Sequence, residues 1–135
     1  MKQFWLLILL ALGYLLPSGC DKNDMDDYPR MIVGRWNLEK TTYADKKSDE
    51  NDESDNSFER ETDPEYPEIY TFTQDGMYYD EYHNRSLHYE ITGKYLVLLG
   101  SYKYVSTIHT LNRRELVLIS ETPEYIVTEF YQRIP

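Results

Sequence analysis

Tyrosine has the widest chemical reach in this sequence. Fourteen tyrosines occur among 135 residues, with Tyr78, Tyr79 and Tyr82 crowded into one stretch and Tyr102 and Tyr104 into another. Each offers a ring that packs and a hydroxyl that bonds, a combination suited to sheets and to amphipathic ligands. The three histidines, His83, His88 and His109, have neither the His-x-His nor the i, i+4 spacing of a metal site. An acidic run offers oxygens at Asp49, Asn51, Glu53 and Asp55. Ser54 then stands where a calcium loop needs glycine, and Arg60 where it needs a bidentate acid. No Gly-x-Ser-x-Gly elbow and no phosphate-cradling glycine loop is present. The paired acids fall in unpatterned segments that hold no general acid in place. We therefore expect no catalytic residue, no metal and no cofactor, and a binding role instead of an enzymatic one.

The remaining chemistry belongs to Cys20, the only cysteine. Alone, it forms no internal disulfide. Lys2 and the run from Phe4 to Leu16 read as the charged and apolar regions of a signal peptide over residues 1–19, too short for a membrane-spanning helix. The sequence Leu16-Pro17-Ser18-Gly19-Cys20 resembles the lipobox of bacterial lipoproteins. That resemblance implies cleavage before Cys20 and acylation of its thiol, making the membrane a partner through an acyl anchor. Residues 20–30 then read as an acidic tether. Their acids resemble the export signal that directs lipoproteins of the Bacteroidetes group to the outer membrane, on its periplasmic or cell-surface side. With a net charge of −10, the chain is a poor match for nucleic acid or for an anionic lipid surface.

The elements that would position a site begin near residue 31. Ile32, Gly34, Trp36 and Leu38 alternate with mostly polar neighbours, the period of a half-buried strand. Residues 45–65 hold ten acids, three bases and one large apolar residue, Phe58, and read as a long, exposed, mobile loop. Strands are then expected over 68–74 and 77–83, joined by a two-residue turn at Asp75-Gly76. Further strands are expected over 87–91, 95–99, 102–111, 115–120 and 125–133, with turns at short intervals. No stretch has helical spacing. The pattern predicts one all-β domain over residues 31–135, an eight-stranded antiparallel up-and-down barrel or else a β-sandwich.

Gly34 and Trp36 in the first strand, Phe72-Thr73-Gln74-Asp75-Gly76 at the hairpin and Tyr131-Gln132-Arg133 near the end resemble the lipocalin-like domains of Bacteroidetes lipoproteins. The resemblance implies a barrel that binds a small hydrophobic or amphipathic ligand. Independently of the family, Gly34 permits a close approach, Trp36 plugs the narrow end and Arg133 lies across its ring. These three are expected to be structural. The expected ligand-lining residues are Tyr70, Phe72, Tyr79, Tyr89 and Phe130. The competing function is a cell-surface accessory or adhesion module that contacts a protein or glycan through its outer face. An open interior of several hundred Å³ separates the first from the second.

Overall fold

The computed structural model describes residues 25–47 and 55–135. The signal peptide, Cys20 and the first part of the acidic tether lie outside the described residues, as do Asp49, Asn51 and Glu53 of the acidic run.

Alternation of apolar and polar residues produces nine strands among the described residues: β1 (Gly34–Asp45), β2 (Phe58–Glu61), β3 (Glu68–Phe72), β4 (Met77–Asp80), β5 (Arg85–Thr92), β6 (Tyr95–Leu99), β7 (Lys103–Leu111), β8 (Glu115–Glu121) and β9 (Tyr125–Ile134). Every pairing is antiparallel, and β3 to β9 follow one another as neighbours. β1 pairs with both β3 and β9, which closes an eight-stranded barrel of β1 and β3–β9. Closure leaves no sheet edge along most of the barrel, the usual liability of antiparallel sheets. A bulge between Leu38 and Lys40 in β1 resets its register against β9. Residues on either side of it therefore keep facing inward, and Leu38 and Thr41 are both buried.

One end is shut by a segment assigned from the sequence to the tether. Met25–Asp27 forms a 3-10 turn that leads into a single helical turn, α1 (Tyr28–Met31), with Pro29 in its first turn. Pro fits there because the first helical N–H groups lack partners anyway. Tyr28 and Ile32 are buried and join the core of Trp36, Leu38, Phe72 and Leu116. Among the described residues the core therefore includes Tyr28, ahead of residue 31, at which the strand pattern begins. A helix of four residues is too short to leave a periodic trace in sequence.

The second correction concerns the acidic loop. Residues 58–61 are a strand, β2, paired with Lys40–Tyr43 of β1, and β1 itself runs on to Asp45. Phe58 stacks on Tyr43 with ring centroids 4.4 Å apart, and Tyr125 of β9 meets both rings edge-on. Arg60 donates to the Glu68 carboxylate from both terminal guanidinium nitrogens, Nη1 and Nη2. One aromatic anchor and one bidentate ion pair order the segment despite its charge. Because Phe58 is itself 50% exposed, we expect Phe58→Ser to unpair β2 without unfolding the barrel. Amide hydrogen exchange should then show protection lost at 58–61 and kept in β5 to β8. Unchanged protection at 58–61 would mean that the ring does not hold the strand.

Candidate functional site

Two regions of the interior carry distinct chemistry, a closed end and an open cavity. At the closed end, Trp36 has no exposed surface, and its Nε1 donates to the Ile32 carbonyl at 2.9 Å. The Arg133 guanidinium lies 4.2 Å from the Trp36 ring centroid. It also donates to the carbonyls of Val33 (2.8 Å), Arg113 (2.9 Å) and Met31. Arg133 thereby ties the last strand to the α1–β1 junction and to the β7–β8 turn. Gly34 has a φ of +141°, and a Cβ there would run into Arg133 Nη1. Gly34, Trp36 and Arg133 meet in a single packed cluster.

Above this floor the interior opens into a cavity of about 400 Å³. Its walls are aromatic on one side, with Tyr70 and Phe72 from β3, Tyr78 from β4 and Tyr131 from β9. Tyr70 and Tyr78 stack at 5.7 Å, and Tyr131 meets Tyr70 edge-on at 5.6 Å. The strands across from them contribute Leu87, Leu96, Leu98 and Leu118, with Lys103, Ser106 and Ser120 among them. Burial pushes the Tyr70, Tyr78 and Tyr131 phenols well above their ordinary pKa, so all three stay neutral and able to donate.

Of the five residues expected to line a ligand, Tyr70 and Phe72 are in the cavity wall. Tyr89 points inward but packs edge-on against Phe72 and donates its hydroxyl to the Thr73 carbonyl at 2.6 Å, outside the cavity wall. Tyr79 is turned outward and 43% exposed. The cause is one residue in a turn. Thr73 pairs with Met77 around a three-residue connection, Gln74-Asp75-Gly76, with Gly76 at φ +88°. A two-residue turn at Asp75-Gly76 would have set Phe72 opposite Tyr79. The observed register sets Phe72 opposite Tyr78 and Tyr70 opposite Asp80. A shift of one residue moves a strand's whole inner set to the other face. Phe130 is likewise outward, under Lys40 Nζ at 4.7 Å, because its neighbours Glu129 and Tyr131 face the cavity.

The cavity holds residues that sequence reasoning passed over: Tyr78, Asp80, Glu129 and Tyr131. Strand parity counted back from Arg133 would place Tyr131 and Glu129 on the same inward face, a signal that the acid at 129 obscures. Asp80 is 1% exposed and accepts from the His83 backbone N–H (3.1 Å), with His83 Nδ1 at 2.7 Å and Arg85 Nε at 3.4 Å. His88 and His109 are exposed elsewhere. Among the described residues no three His, Cys, Asp or Glu side chains are grouped to hold a metal ion.

Glu129 differs from the other interior acids. It accepts from the Tyr131 hydroxyl at 2.8 Å. No lysine, arginine or histidine among the described residues lies within ion-pair distance of it. Burial pushes its pKa up, the Tyr131 bond pulls partly back, and the charges of Glu68 and Arg60 act in opposite directions, Glu68 raising it and Arg60 lowering it. An acid whose folded pKa exceeds its unfolded value binds more protons when folded. Its contribution to stability therefore falls as pH rises from the unfolded pKa through the folded one. Glu129→Gln should remove that loss. We expect the variant's melting temperature to gain on the parent's between pH 4 and pH 7.5. An offset that does not change with pH would mean the carboxylate is not strained.

The geometry is that of a closed antiparallel barrel with a plugged floor and an open interior. A family model described as a lipocalin-like domain matches residues 32–118. The chain belongs to the lipocalin-like family. No curated protein and no solved structure matches it. The matched span of this lipocalin-like chain runs from the α1–β1 junction through most of β8 and carries most of the cavity wall. β9, which closes the barrel and brings Glu129, Tyr131 and Arg133, lies beyond the match.

Proposed function

We propose that this lipocalin-like protein is an exported, acyl-anchored carrier or receptor that binds a small amphipathic molecule inside its barrel. The cavity of about 400 Å³ is the observation that carries this reading. It lies within the range of about 300–1,000 Å³ for small-molecule sites and suits one ligand. Its division into tyrosines with neutral hydroxyls and a leucine wall favours a molecule with both polar and apolar parts. A solid interior would instead have favoured a role for the outer face. Binding is the function in this proposal, and catalysis is not.

The anchor is the second component. Lys2, the apolar run and the Ser18-Gly19-Cys20 junction support cleavage, acylation of Cys20 and tethering at the outer membrane. Native mass spectrometry of the protein purified from its own host tests the binding component. A co-purifying small molecule at one per chain is the expected result. Apoprotein alone, even when the sample is never exposed to detergent, would count against it. Fractionation of a Cys20→Ser variant tests the anchor, because loss of membrane association is expected and unchanged association would contradict it.

A further inference from the structure

The three interior acids are not equivalent. Asp80 has Arg85 and His83, and Glu68 has Arg60 in bidentate contact. Glu129 faces the cavity with a neutral tyrosine hydroxyl as its donor and no cation in ion-pair range among the described residues; Arg60 acts on it only from farther off and is already bonded to Glu68. A carboxylate withdrawn from water without a cationic partner costs stability, and the cost falls when a bound group supplies the charge. The surroundings of Glu129 suit such a group. Tyr131 and Tyr70 meet edge to face, and Tyr78 stacks on Tyr70. Electron-rich rings of this kind attract an ammonium. The leucine wall is formed by Leu96, Leu98 and Leu118 with Leu87, and it takes up hydrocarbon but contributes nothing to a charge.

We propose that the cavity binds a protonated amine with an apolar body, with Glu129 as the counter-ion. The tyrosines surround the ammonium and the leucine wall covers the hydrocarbon. This deepens the small-molecule reading given above and rests on it. An anionic head is disfavoured because it would meet Asp80 and Glu129 in the same cavity. Of the two side chains at the mouth that are always cationic, Arg85 is already held by Asp80 at 3.4 Å, which leaves Lys103. The net charge of −10 also draws cations toward the protein and repels anions.

Decylamine, decanol and decanoate present one hydrocarbon chain under three heads. Isothermal titration of the full chain at pH 7 is expected to show decylamine binding at least about tenfold more tightly than decanol, with decanoate weakest. In Glu129→Gln the decylamine advantage over decanol should fall to about twofold or less. Decanoate binding as tightly as decylamine overturns the proposal and leaves the small-molecule reading standing, as does a decylamine preference that survives the substitution. Binding of none of the three would overturn the small-molecule reading itself. If the variant fails to fold, the ranking of the three probes on the parent chain decides alone.

Discussion

Trp36→Ala is expected to destabilise the folded protein by about 3–5 kcal/mol, the range for truncating a large buried aromatic ring. The ring is wholly buried, so its removal loses transfer free energy and leaves a void at the narrow end of the barrel. Three further losses follow from its contacts. The Ile32 carbonyl loses the Nε1–H donor, Arg133 loses the face it covers, and α1 loses the ring beneath Tyr28 and Ile32. Trp36→Phe separates these effects. It keeps most of the burial and removes the donor, and should cost about 1 kcal/mol beyond the smaller ring's lost packing. Urea unfolding at constant m-value measures both. A cost below about 1 kcal/mol for the alanine variant would show that the plug does not hold the closed end together.

Gly34→Ala should cost about 2–4 kcal/mol although it adds a single methyl group. Two causes combine. A φ of +141° is a backbone region that side-chain-bearing residues rarely adopt, and the added Cβ would meet Arg133 Nη1. An arginine tip usually swings away from such a clash at little cost. Here the guanidinium is held by the carbonyls of Met31, Val33 and Arg113, so moving it breaks bonds at both the α1–β1 junction and the β7–β8 turn. A double-mutant cycle apportions the two. In an Arg133→Ala background the cost of Gly34→Ala should shrink by about 1 kcal/mol or more, leaving the backbone part. An undiminished cost would assign the whole effect to φ.

Much of the barrel was legible because its inner and outer residues differ in kind. Gly34, Trp36 and Leu38 in β1 and Leu87, Tyr89 and Ile91 in β5 carry the period-two signal that a half-buried strand must show, while β6 and β8 announce themselves as short continuous apolar runs at 95–99 and 116–119. The resemblance at Gly34, Trp36, the Phe72–Gly76 hairpin and Tyr131–Arg133 pointed to the family that the match then showed. The cavity wall was harder to read, for three separable reasons. Asp75-Gly76 serves two-residue and three-residue connections equally well in sequence, and the longer one brought Tyr78 and Asp80 inside in place of Tyr79. Glu129 breaks the rule that inner positions are apolar, a break expected where a site outweighs stability. Phe58 is one ring among ten acids, and its partners Tyr43 and Tyr125 are distant in sequence, so β2 depends on contacts that local composition does not report.

The central claim is that the interior of this lipocalin-like barrel is open and takes up a small molecule. Titration with the uncharged fluorophore N-phenyl-1-naphthylamine tests it most directly, comparing the parent chain with Ser106→Trp. Ser106 faces the cavity from β7, opposite Leu96 in the neighbouring strand, so an indole at that position would occupy the space a ligand needs. The account predicts saturable binding at one site in the parent, abolished in the variant while its thermal transition stays cooperative. Equal binding by the two chains, or none by the parent, would contradict it.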